Sequence, residues 1–192
     1  MVKLELKHLE PYLPYGLKTK TSKTISILIG VDKTSIIEYL DTCRVKLMKL
    51  DRTLSAYFPI QSIKPILRPL SDLVKEIEVD GEKFIPITEL RCIEQGNWDE
   101  DVFLKDHTQI IDYGIRKAEY ESDCYWIEWK DGITQTQILS FKDNDFSRIW
   151  KEKMMGVGVN NQLMLFNKLY EWHFDVFRLI EKGLAIDINK CK

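Results

Sequence analysis

The sequence predicts an α+β fold, a small antiparallel sheet with hairpins packed on a long, largely buried C-terminal helix. Three observations predict it. Asp80-Gly81 and Asp131-Gly132 each sit between alternating apolar segments, a two-residue hairpin signal because both turn positions favour φ > 0. Residues 160–182 carry only a thin polar stripe (Asn167, Lys168, Glu171, Asp175, Arg178, Lys182), and Gly183 stands where such a helix would end. A chain of 192 residues, 44% apolar and 30% charged, is long enough for one packed core. It reads as a single domain over 1–192, with a β-rich half 1–93 and a C-terminal half 94–192 as its candidate subdivision.

Taken in order, residues 8–17 hold Pro11 and Pro14, which forbid a long helix and leave a short turn of helix ending near Pro14. Residues 24–29 are dense in β-branched side chains and predict a strand. Residues 32–54 carry two competing patterns. Ile36, Leu40, Cys43, Leu47, Leu50 and Leu54 recur at helical spacing behind a Ser35-x-x-Glu38 capping box, whereas turn-like 31–34 and 40–42 favour a meander of short strands. The meander is preferred, and the assignment stays open. Pro65 and Pro69 exclude a continuous helix, residues 71–73 begin a short one, and 76–79 with 82–87 flank the first Asp-Gly turn. Residues 88–93 read as a short helix, and 95–106 as a polar, acidic connector. The second hairpin joins 120–130 to 133–139, with Tyr125, Ile127 and Trp129 on one face and Trp126 and Glu128 on the other. Asn160 or Asn161 caps the final helix.

Composition excludes several classes. A net charge of -2, with 9 Gly and 6 Pro, is unlike a disordered chain, a collagen-like chain or a chain-wide polycation. The N-terminus has no signal-peptide core and no apolar run is long enough to span a bilayer, so a cytoplasmic protein with no membrane partner is expected. Four dispersed cysteines (Cys43, Cys92, Cys124, Cys191) form no C-x-x-C pair and read as independent thiols. The charge is nevertheless uneven: +6 over residues 1–68, -11 over 69–145 and +3 over 146–192. Lys18, Lys20 and Lys23 flank the first apolar run, and Arg44, Lys46, Lys49 and Arg52 follow it. They make either a patch for phosphate-bearing ligands or a surface neutralised by the acidic middle third. Arg68, between two prolines, suits a bidentate anion contact or an ion pair with Asp72 or Glu76.

Catalytic and metal motifs are wanting. His8, His107 and His173 lie far apart. His173-x-Asp175 on a helix would point to different sides, with Asp175 facing Arg178 instead. Asp99-Glu100-Asp101 and Asp143-x-Asp145 lack the rest of a calcium loop, and Gly156-Val157-Gly158 lacks the remainder of a phosphate loop and reads as a lead-in to the last helix. No enzyme activity, cofactor or metal is therefore expected.

Three segments carry a resemblance: Leu9-Glu10-Pro11-Tyr12-Leu13-Pro14-Tyr15-Gly16-Leu17, Lys64-Pro65-Ile66-Leu67-Arg68-Pro69-Leu70-Ser71-Asp72-Leu73, and Glu171-Trp172-His173-Phe174-Asp175-Val176-Phe177 with the following 179–187. Together they resemble a family of small uncharacterised proteins encoded by phages and prophages of Bacteroidetes. The resemblance implies a mobile-element origin and a bacterial cytoplasm, and it implies no activity. Two functions follow as expectations. In the first, a non-catalytic accessory protein binds a host or phage protein through Tyr125, Trp126, Trp129, Trp172 and Phe177, with a homodimer through the C-terminal helix as a further option. In the alternative, a protein binds or sequesters a nucleotide or other anionic ligand, as in counter-defence, through Lys18, Lys20, Lys23, Arg44 and Arg68.

Overall fold

A computed structural model of the chain describes residues 3–22, 24–34, 42–52, 55–96, 108–117, 119, 122–131 and 135–191. Among these, thirteen strands form three sheets. In chain order they are β1 Lys18–Lys20, β2 Ile25–Thr34, β3 Thr42–Lys49, β4 Ser55–Pro59, β5 Lys64–Leu67, β6 Ile77–Val79 and β7 Glu82–Phe84. There follow β8 Thr108–Arg116, β9 Cys124–Asp131, β10 Gln135–Lys142, β11 Asp145–Trp150, β12 Met155–Val157 and β13 Ile186–Asp187. Helix α1 is Pro86–Glu94 and α2 is Gln162–Glu171. The chain divides into two compact units, Met1–Leu70 with Leu169–Lys192, and Ser71–Lys168. No described helix is long and apolar enough to cross a membrane.

The first unit is built on a six-stranded sheet ordered β13-β5-β1-β2-β3-β4. All its pairings are antiparallel except β13 on β5. Residues 32–54 thus resolve towards the meander, with longer strands than the sequence suggests: 31–34, expected as a turn, continue β2. Ile36 and Ile37 lie outside the described residues. A bulge between Leu28 and Gly30 inserts Ile29 as an unpaired residue. On either side of it the inner face keeps Thr19, Ser26, Leu28, Val45 and Leu47 buried. Against that face pack the 3-10 helices Leu6–His8 and Glu10–Tyr15, which bring Leu9 and Tyr12, together with Leu17 and the C-terminal residues Leu179 and Ala185. Pro11 and Pro14 keep the second of these short, and Gly16 at φ 65 ends it.

The long C-terminal helix does not form, and the mostly β architecture corrects the expected fold class. Helix α2 stops at Glu171, and residues with positive φ follow at His173 (59°), Arg178 (54°) and Gly183 (69°). Tertiary bonds replace helical ones. Phe174 bridges Arg68, whose N–H donates to the His173 carbonyl and whose carbonyl accepts from Asp175, both at 2.8 Å. Tyr12 Oη donates to the Phe174 carbonyl at 2.6 Å. Asp175 does not face Arg178 as expected; its carboxylate accepts the Leu179 and Ile180 amides at 2.8 and 2.7 Å. A strap in which Phe174, Val176 and Leu179 are all buried looks, in sequence, like a helix that is apolar all round.

The second unit holds the β6–β7 hairpin, α1 and a five-stranded antiparallel sheet ordered β12-β11-β10-β9-β8. Asp80 and Gly81 take φ 52 and 91, as the predicted turn requires. Pro86 belongs to α1 rather than to the strand before it, because its missing N–H is harmless at the first helical position. The predicted second hairpin is β9 with β10, Tyr125 pairing Phe141 and Trp129 pairing Gln137. Asp143 and Asn144, both at positive φ, close a further hairpin onto β11. Residues 155–157 extend this sheet as β12 instead of leading loosely into a helix. Asn161 precedes α2, but at φ 53 and with its side chain donated to the Ile93 carbonyl.

Candidate anion-binding face

The aromatic residues expected at a protein interface are mostly core. Tyr125 is 6% exposed, Trp129 0% and Trp172 7%. Phe177 packs on the rings of His8, Tyr12 and Tyr170 in the first unit. Trp126 is half-buried over Gly114, its cross-strand partner. The long helix expected to pair with a second copy does not form: Phe174, Val176 and Leu179 are buried in the first unit, and Phe166 packs on Phe141 and Phe146 in the second.

The basic residues are placed differently. On β1, Lys18 and Lys20 point away from buried Thr19 and are exposed. Register then assembles the outer face of the six-stranded sheet row by row, since directly opposed residues share a face. Lys20 lies opposite Lys64 on β5 and Ile25 on β2. The next row is Lys18, Ile27, Met48 and Ser55. After the bulge come Gly30, Lys46 and Tyr57, then Asp32, Arg44 and Pro59. Lys46 Nζ stands 5.8 Å from the Tyr57 ring centroid. Among the described residues, none of Lys18, Lys20, Arg44, Lys46 and Lys64 forms an ion pair. Lys20 and Lys64 border an open groove of about 320 Å³ that Ser22, Gln61, Ser62 and Ile186 also line.

Of the residues the sequence nominated, Lys18, Lys20 and Arg44 share this face. Lys23 lies outside the described residues. Arg68 is half-buried, and its backbone is taken up by the bridge to Phe174. Lys64 and Tyr57 were missed. Their signal is register, and sequence offers no way to know that residue 64 lands opposite residue 20.

The other polar clusters serve the fold. Glu94 is fully buried and its Oε1 accepts from Arg148 Nη1 at 2.5 Å and from the Asn160 amide at 3.3 Å. Burial pushes this carboxyl above its ordinary value, and the amide and the guanidinium act in the opposite direction. Asp175 is likewise raised by burial, against the two amides that it accepts. Burial drives the Tyr12 phenol well above its usual range. His8 Nδ1 accepts the Glu5 amide, and His173 Nε2 bonds the Tyr15 carbonyl. His107 and 99–101 lie outside the described residues. Among the described residues no group of three or more His, Cys, Asp or Glu side chains is arranged to hold a metal ion.

Comparison of the chain with family models, with curated proteins and with solved structures returns no match.

Proposed function

We propose that this chain is a non-catalytic binding protein whose ligand carries phosphate groups and lies on the outer face of the six-stranded sheet. The observation that carries the reading is the Lys20–Lys64 pair, two exposed lysines directly opposite each other with no acidic partner among the described residues. Like charges so placed destabilise a sheet. A bound phosphate between them converts that repulsion into two charge-assisted contacts. Charge is also segregated by unit: the first holds 16 Lys and Arg against 10 Asp and Glu, the second 12 against 20. A field of one sign over one unit draws an anion towards it.

Thermal shift with pyrophosphate, nucleotides and cyclic nucleotides at low salt tests the reading. A phosphate ligand at a hundred times its Kd stabilises by about 2.7 kcal/mol, a rise of roughly 5–10 °C for a chain of this length. Lys64→Glu separates binding from stability. It places opposite charges on the pair, raising ligand-free stability by about 0.2–1 kcal/mol, and removes most of the ligand-induced shift. No shift with any phosphate compound, or a shift that Lys64→Glu leaves intact, refutes the proposal.

A further inference from the structure

We infer that the ligand of this face is an extended single strand of nucleic acid, read without sequence preference, and not a mononucleotide. The inference rests on the phosphate-binding reading above and deepens it. Its first support is span. Strands lie about 4.8 Å apart and same-face residues about 6.8 Å apart along a strand. Lys64 and Arg44 are separated by three strand spacings, β5 to β1 to β2 to β3, and by three rows. That places them about 25 Å apart on a diagonal, with Lys20 beside Lys64 in its own row and Lys18 and Lys46 in the two rows between. A mononucleotide reaches one end of this diagonal; a chain of phosphates follows it.

The second support is what stands between the bases. Ile25 and Tyr57 are 39% and 53% exposed, and with Ile27 and Met48 they put an apolar or aromatic side chain in each of the first three rows. Gly30 adds no side chain to its row, in which Lys46 stands between it and Tyr57. Duplex DNA keeps its bases stacked inside and offers such a surface only phosphates. An unpaired strand offers phosphates to the lysines and base faces to the ring and the aliphatic rows, an arrangement indifferent to sequence because every base has a π-face. Across all six strands only Asp32 and Asp187 are acidic, against seven Lys and Arg.

Fluorescence anisotropy with labelled oligothymidylates, from a dinucleotide to about twelve nucleotides, tests the inference beside a duplex of the same length. Affinity should climb with length until the diagonal is covered and then level off, with the duplex weaker. Tyr57→Ala should weaken the longer oligomers about tenfold and leave the pyrophosphate thermal shift unchanged. Affinity independent of length, a duplex that binds as tightly, or Tyr57→Ala without effect overturns the single-strand inference. Should pyrophosphate still shift the melt in those cases, the phosphate-binding reading survives alone. Absence of any anion or oligonucleotide binding overturns both.

Discussion

Replacing Lys20 and Lys64 together by alanine removes two of the five bases on the outer face and leaves Lys18, Arg44 and the half-buried Lys46 in place. For single strands, each phosphate neutralised contributes a slope of about -0.7 to the dependence of log K on log salt, because condensed counterions are released. Five contacts predict a slope near -3.5, and three predict about -2.1. Between about 50 and 200 mM salt the wild-type affinity should then fall roughly a hundredfold and the variant's only about twentyfold. Anisotropy titrations of one oligonucleotide over that range give both slopes, and circular dichroism checks that the variant is folded. Both side chains are exposed on the sheet surface, so their loss leaves the core untouched. Wild-type and variant slopes that agree within about half a unit, or a wild-type slope shallower than about -1, show that phosphates do not contact this face.

Two further outcomes concern the polar groups that hold each unit together. Asp175→Ala strands the Leu179 and Ile180 amides and should cost about 2–6 kcal/mol in urea unfolding, at about 1–3 kcal/mol for each orphaned donor. A loss below about 1 kcal/mol removes Asp175 as the clamp of the C-terminal strap. For Glu94 the folded state holds the proton more tightly than the unfolded chain does, because burial raises its value above 4.5. Its favourable contribution is therefore complete below 4.5 and is lost as pH rises through the raised folded value. The stability of wild type relative to Glu94→Gln should accordingly grow as pH is lowered across that window. A difference that stays flat or shrinks contradicts the assignment.

The legible parts of the fold are those fixed by neighbours in sequence. The Asp80-Gly81 turn, the two-proline helix before Gly16 and the alternation of Tyr125, Ile127 and Trp129 each depend on the local backbone, and each appears in the structure where its residues place it. The C-terminal helix failed for the opposite reason. Helical spacing of Leu165, Leu169 and Trp172 is real, but it was extended through residues whose amides and carbonyls find distant partners: Arg68 for His173 and Asp175, and Tyr12 for Phe174. An apolar residue says that it will be buried, not which backbone it will be buried on.

Charge divides in the same way. Sequence alone determined that Lys18, Lys20 and Arg44 belong to a basic stretch, that the acids gather in the middle of the chain, and that hairpins form around residues 76–87 and 120–139. Only the tertiary structure decided that Lys64 lies opposite Lys20, that Arg68 is half-buried while Tyr125, Trp129 and Trp172 are core, and that the bases fall in successive rows. Strand register couples residues 44 positions apart in sequence, and its energy resides in the buried inner face of Leu28, Val45 and Leu47. The outer-face arrangement follows from that inner packing, which is why no local pattern around either lysine announces it.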